Sequence, residues 1–277
     1  MAQKIAVIGM GQIGGSLGKA LRVHKNKYYI IGVDKDKKTL KAALKCGAAD
    51  EVSTDINAVK GCKIAVICLP VDLIASVYKQ LFNIAGNEII ITDAGSVKER
   101  VAKGCSVKRG STPFVPAHPM AGREKNGIGS ATAEMFKGAN LIITETANSE
   151  AEKKVAAMWR DAGAKIVKMP AKKHDDLAAL TSHLPHIIAF ALNKIYKETK
   201  KKNPEIDKLT AGSFKSITRV SVSSADMWAP IFAMNGKNVR KYLNAFIKEL
   251  QVFEKTLNNQ RKLKKEILKT QGTKSPI

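Results

Sequence analysis

The sequence predicts an α/β chain in which a doubly wound parallel sheet is followed by an all-helical second domain. Three observations predict it. Short, near-continuous, β-branched apolar runs recur through the first part of the chain. Amphipathic stretches with helical spacing separate them. The strand signal stops at Pro170, and only helix-like stretches follow. Unbroken apolar runs suit strands buried on both faces, and their alternation with helices implies parallel βαβ units.

The runs are KIAVIG (4–9), YYIIGVD (28–34), KIAVICLP (63–70), EIIITDAG (88–95), PFVPAHP (113–119), ANLIIT (139–144) and KIVKM (165–169). Between them, GGSLGKALRVHK and VDLIASVYKQLF read as helices. Residues 149–162 read as another, with Ser149 and Glu152 in capping-box spacing. DDLAALTSHLPHIIAFALNKIYKETK reads as a helix in which Pro185 requires a helix start or a kink. KNPEID reads as a turn, and 225–235 and 237–268 as two further helices. In the last, Val239, Leu243, Phe246, Ile247, Leu250, Phe253 and Leu257 form a heptad-like stripe. Such a stripe serves a core-facing helix or a dimer seam, and a homodimer through this helical part is the expectation. The domains expected are 1–170 and 171–277.

The chain has 277 residues, 44% of them hydrophobic, which is enough for a sizeable core. No apolar run reaches the ~18 residues of a membrane span. The N-terminus enters a strand at once, so no secretory signal is expected. Four cysteines are scattered without a CxxC pair, which suits reduced, inert thiols and a cytoplasmic protein. The net charge is +23, from 47 Lys+Arg against 24 Asp+Glu. A basic nucleic-acid-binding protein is one reading of that balance. Aromatics are only 5% and no nucleic-acid motif is present, so a lysine-rich solvated surface is preferred, one that also attracts anionic ligands.

GMGQIG (9–14) is a GxGxxG placed after a strand and opening a helix. In a Rossmann-type sheet, Gly9 makes the tight turn, Gly11 admits a pyrophosphate and Gly14 lets helix and strand pack closely. Met10, Gln12 and Ile13 complete the loop, and the helix N-terminus supplies N–H groups for the phosphates. Asp34 ends the second run, where an acid hydrogen-bonds ribose hydroxyls and repels a 2′-phosphate, favouring NAD. Lys35 beside it leaves NADP open, and Asp34 as a plain helix N-cap is the other reading. Leu69 and Pro70 follow the third run, where cofactors bind in such sheets.

AHPMAG (117–122) frames a histidine between residues that fix the backbone. Pro119 holds His118 extended, and Gly122 permits a close approach. Such a histidine suits a general base, since its ordinary pKa lies near 6.5. Removing a hydroxyl proton would drive hydride transfer to the nicotinamide. His183 and His186, three apart, read as site residues rather than metal ligands, because no carboxylate or cysteine completes a set; no metal is expected.

GMGQIGGSL, TDAGSVK (92–98), HPMAG (118–122), SHLPH (182–186) and FKSITR (214–219) followed by MW, in this order, resemble the prephenate/arogenate dehydrogenases of tyrosine biosynthesis. The resemblance runs from residue 4 to about 255. It implies a Rossmann domain, a helical dimerisation domain, and NAD-dependent conversion of prephenate to 4-hydroxyphenylpyruvate, or of arogenate to tyrosine, with release of CO₂. It implies that His118 accepts the ring hydroxyl proton and that Ser96 hydrogen-bonds near it. His183 and His186 match histidines facing the site, Arg219 an arginine gripping a substrate carboxylate, and Trp228 and Glu124 pocket residues. The pattern departs at Ser216, where relatives carry aspartate. No regulatory domain is expected after the last helix. Arg123 would disfavour the ammonium of arogenate by like-charge repulsion, favouring prephenate. The competing readings are a related hydroxy-acid or imino-acid dehydrogenase and the nucleic-acid-binding protein.

Overall fold

The computed structural model describes residues 2–105, 113–122, 125–146 and 148–271. Nine strands form: β1 (Gln3–Ile8), β2 (Tyr28–Val33), β3 (Glu51–Ser53), β4 (Ile64–Ile67), β5 (Ile90–Asp93), β6 (Phe114–Val115), β7 (Ala117–Pro119), β8 (Asn140–Ile143) and β9 (Lys165–Lys168) among the described residues. Six of them make a parallel sheet in the order β3-β2-β1-β4-β5-β6. The order reverses between β1 and β4, the switch point at which such sheets open a crevice at their carboxyl ends. Ile64, Ala65, Val66 and Ile67 of β4 are all buried, as a strand covered on both faces requires.

The run PFVPAHP is not one strand of this sheet. Phe114 and Val115 pair with β5, whereas Ala117–Pro119 pair antiparallel with β8 in a second sheet, β7-β8-β9. Pro116 stands between them and has no N–H with which to continue the parallel ladder. The chain changes sheets there: the parallel doubly wound sheet is present as expected, and a small mixed sheet stands beside it. β3 carries no strand-like run in the sequence and is held only by pairing with β2.

The helices of this half are α1 (Gln12–Arg22), α2 (Lys37–Lys45), α3 (Ile74–Ala85), α4 (Glu99–Gly104) and α5 (Ser149–Asp161). α5 is capped by Asn148, whose side chain accepts from Ala151 N at 2.8 Å, rather than by Ser149. One core lies between α1, α5 and the sheets, with the Phe136 and Trp159 rings edge to face at 5.0 Å. A second lies on the α3 face.

From Ala171 on, among the described residues, the chain is helical: α6 (Ala171–Ala178), α7 (Leu184–Lys202), α8 (Gly212–Thr218), α9 (Ala225–Met234), α10 (Gly236–Thr256) and α11 (Gln260–Thr270). The single helix expected from Asp175 is broken by a wide π-type turn at Ala179–His183, and Pro185 sits in the first turn of α7, where its missing N–H costs nothing. The single helix expected over 237–268 is two, because the chain turns at 257–259 and Asn259 caps α11 by accepting from Lys262 N at 3.0 Å. The predicted stripe divides. Val239 is buried against the fold, while Leu250 and Leu257 are 51% and 63% exposed. Trp228 and Ile231 of α9 pack with Val71 and Ile74 in the α3-face core.

Candidate active site

The glycine loop leaves β1 at the switch point. Gly9 has φ +94°, a conformation that L side chains rarely adopt, and a Cβ there would meet Cys68 O at 2.5 Å. Gly14 lies against the loop so closely that a Cβ would meet Gly9 O at 2.0 Å. Gly11 differs, since a Cβ there would meet nothing within 4 Å. The space above Gly11 is what a pyrophosphate approaching the helix N-terminus needs. We expect Gly11→Ala to leave the melting temperature unchanged and to weaken NAD binding in a fluorescence titration. A lowered melting temperature with intact NAD affinity would contradict this.

Asp34 accepts from Met10 N at 2.9 Å and from Asp36 N at 3.0 Å, so its carboxylate is pinned beside the glycine loop. The N-cap of α2 is Asp36, which accepts from Lys38 N and Thr39 N. This removes the plain-cap reading of Asp34. Loop, acid and open space together fit a dinucleotide.

A cavity of about 670 Å³ opens at this point. Gly11, Gln12, Ile13, Leu69 and Pro70 line it together with Ser96, His118, His186 and Trp228. Gly9, Met10, Gly14 and Asp34 are outside the lining, with Asp34 bonded to Met10 of the loop. His183 is buried and lies outside the lining, with its ring edge to face on Trp228 at 5.9 Å. Trp228 in turn stacks on His186 at 3.6 Å. Arg219 is exposed at the end of α8 and is also outside the lining, although its neighbour Val220 is part of it. Arg123 and Glu124 lie outside the described residues. Among the described lining residues, Asp226 is the only Asp, Glu, Lys or Arg.

His118 sits on β7 at the cavity wall. Its Nδ1 is 2.8 Å from His174 Nε2, and His174 Nδ1 is 2.8 Å from Asp175 Oδ1. Asp175 also accepts from Lys98 N at 2.7 Å and Glu99 N at 2.9 Å. A carboxylate only accepts, so His174 Nδ1 carries a proton and its Nε2 a lone pair. His118 then donates through Nδ1 and keeps a lone pair at Nε2, the form a general base needs. Beneath it, Lys98 and Asp93 form a fully buried ion pair. Asp93 accepts from Ala117 N at 3.0 Å, and Lys98 Nζ donates to Ala117 O at 2.6 Å.

Burial, followed by the positive fields of His174, Lys98 and His183, holds His118 well below its ordinary pKa, so it is neutral at physiological pH. Burial lowers His183 from 6.5 to about 4. The unfolded chain therefore takes up a proton below pH 6.5 that the folded chain resists until about pH 4. The contribution is complete above pH 6.5 and is lost as pH falls towards 4, on the order of 3 kcal/mol for His183. Urea unfolding of the wild type and His183→Gln at pH 7 and pH 4.5 checks this. Equal pH slopes in the two proteins would refute it.

Sequence reading missed His174, Asp175 and Asn235. His174 and Asp175 lie in no glycine- or proline-framed motif. Asn235 Nδ2 donates to Asp175 O at 2.7 Å and contacts His183 Nδ1 at 3.2 Å. The adjacent His-Asp pair at a helix start was the available signal.

Comparison with known proteins gives consistent matches. The prephenate dehydrogenase nucleotide-binding domain model matches residues 17–168, and the prephenate dehydrogenase dimerization domain model matches 170–270. Cyclohexadienyl dehydrogenase of Zymomonas mobilis is 33% identical over 260 residues, covering 92% of this chain and 89% of that protein. Prephenate dehydrogenase of Aquifex aeolicus, solved with hydroxyphenyl propionate and NAD+, superposes with a TM-score of 0.88 at 28% identity, over 98% of this chain and 96% of that one. Arogenate dehydrogenase of Synechocystis gives 0.78 at 28% identity, over 98% of both chains.

Proposed function

Since the chain belongs to the prephenate dehydrogenase family, we propose that its cavity carries out NAD-dependent oxidative decarboxylation of prephenate to 4-hydroxyphenylpyruvate, with His118 as general base. The observation that carries this is the line of contacts from His118 Nδ1 through His174 to Asp175, which with a neutral His174 leaves the lone pair on His118 Nε2, at the wall of a cavity that also contains the glycine loop. NAD is held by the loop of Gly9–Gly14 and by Asp34, and it supplies the hydride acceptor. His118 takes the ring hydroxyl proton, Ser96 orients that hydroxyl, and His186 with Trp228 walls the ring. Arg219, exposed outside the lining beside Val220, is the cation we assign to a substrate carboxylate. The nucleotide-binding domain is 1–170 and the helical domain 171–277. A second copy of the chain covers the apolar side of Leu250 and Leu257, which a dimerisation domain would bury.

One observation favours arogenate as an additional substrate. Asp226 lines the cavity and its carboxylate suits an ammonium. Initial rates of NADH or NADPH formation with prephenate and arogenate, each with NAD and NADP, decide. The expected result is the highest kcat/KM with prephenate and NAD. Turnover of arogenate alone would transfer the assignment to the second substrate, and no turnover in any pairing would overturn the reading.

A further inference from the structure

We propose that His174 and Asp175 act through His118 as a proton relay, in which the hydroxyl proton taken at His118 is passed on to His174 and returned to the product. The proposal rests on the reading of His118 as the base. The three side chains form one unbranched line from the cavity into the protein: His118 Nδ1 to His174 Nε2 at 2.8 Å, then His174 Nδ1 to Asp175 Oδ1 at 2.8 Å. Both His174 and Asp175 are 2% exposed, so water does not compete for either contact. The Lys98 and Glu99 backbone N–H groups hold the Asp175 carboxylate, and Asn235 holds its backbone carbonyl. The line therefore has one fixed end and one end open to the cavity.

The surroundings favour a positive charge on His174 over one on His118. Among the described residues, the charged and titratable groups around the two rings come from several elements. They are Asp93 at the end of β5, Lys98 before α4, Asp175 on α6, and His183 in the π-type turn, with His186 beyond it on α7. His118 stands in the positive field of Lys98 and, among the described residues, no carboxylate is hydrogen-bonded to it. A proton shared onto His174 lies directly against Asp175. In a buried setting that difference in pairing decides where the charge rests.

The bonds balance as follows. The substrate O–H breaks and His118 Nε2–H forms. His118 Nδ1–H breaks and His174 Nε2–H forms, leaving a neutral His118 with the opposite tautomer and a cationic His174 against the Asp175 carboxylate. The ring C–H leaves as hydride to NAD. The bond to the ring carboxylate then breaks, CO₂ departs, and its electron pair enters the ring to give a phenolate. The relay runs backwards and returns the proton to the phenolate oxygen. No net proton is released, which is why a reversible store serves this reaction better than a path to solvent.

Two experiments test it. The chain has five histidines, so its imidazole nitrogens are tractable by ¹⁵N NMR. The substrate-free protein at neutral pH should show His118 protonated at Nδ1, bare at Nε2, with coupling across the hydrogen bond to His174 Nε2. A proton on His118 Nε2 instead would overturn the relay whatever the variants do. In single-turnover kinetics, which read chemistry rather than product release, the wild type should give a curved proton inventory in H₂O/D₂O mixtures, reporting two protons in motion. His174→Gln should give a straight one, with kcat lowered about 10- to 100-fold, the scale on which loss of an imidazole-orienting partner acts, and KM unchanged. A curved inventory with full kcat in His174→Gln would refute the relay while leaving His118 as base. Full activity in His118→Asn would instead refute the reading beneath it.

Discussion

His118→Asn lowers kcat/KM for prephenate by about 10²- to 10⁴-fold, the range over which a positioned base contributes. Asparagine retains a donor that can face His174 but has no group able to take a proton near neutral pH. NAD binding should be unaffected, because the side chain of His118 bonds to His174 and not to the glycine loop. Stability should change little, since asparagine keeps a donor toward His174 and the side chain stands at the edge of a cavity. Stopped-flow rates, an NAD titration and urea unfolding of the variant therefore give three separable answers. A variant that unfolds more easily and loses NAD affinity in proportion to its rate would identify His118 as structural.

Lys98→Met destabilises the fold by about 3–5 kcal/mol, because it leaves the Asp93 carboxylate charged and buried without its partner. Lys98 and Asp93 side chains are both 0% exposed, so water cannot replace the lost contact. The double variant Asp93→Asn/Lys98→Met removes both charges and should recover most of the loss. Their effect on activity has a second origin. The pair grips Ala117 at both N–H and C=O, one residue before His118, and so sets where the imidazole stands. The double variant should accordingly regain stability without regaining full kcat. Urea midpoints and initial rates measured together check both parts. A Lys98→Met protein as stable as the wild type would show that the buried charge is accommodated elsewhere.

The reach of the sequence follows the nature of each signal. The central strands were legible because burial on both faces writes an unbroken apolar run, as at Ile64–Ile67. The glycine loop was legible because two of its positions admit no side chain. The family, the enzyme class and the cofactor were legible through ordered motifs. β3 was not, since three residues paired at a sheet edge need no apolar pattern. The split of PFVPAHP was hidden because pairing partners, not propensity, decide which sheet a short strand joins. The break between α10 and α11 was missed because helical periodicity persists across it, although Asn258 and Asn259 marked the place. His174 and Asp175 were invisible as site residues because their role depends on a contact with a β-strand 56 residues earlier.

The packing of Trp228 and Ile231 onto Val71 and Ile74 has a thermodynamic meaning. One hydrophobic core draws its side chains from both sides of Pro170. Separating the helical part would uncover Val71 and Ile74, and unfolding the sheet would take from Trp228 and Ile231 their apolar partners there. The halves share their free energy of folding, so neither is a unit of cooperativity by itself. The glycine loop and the wall that faces it are expected to melt as one body, which keeps His118, the loop and the stacked His186 and Trp228 at fixed separations for as long as the protein is folded at all.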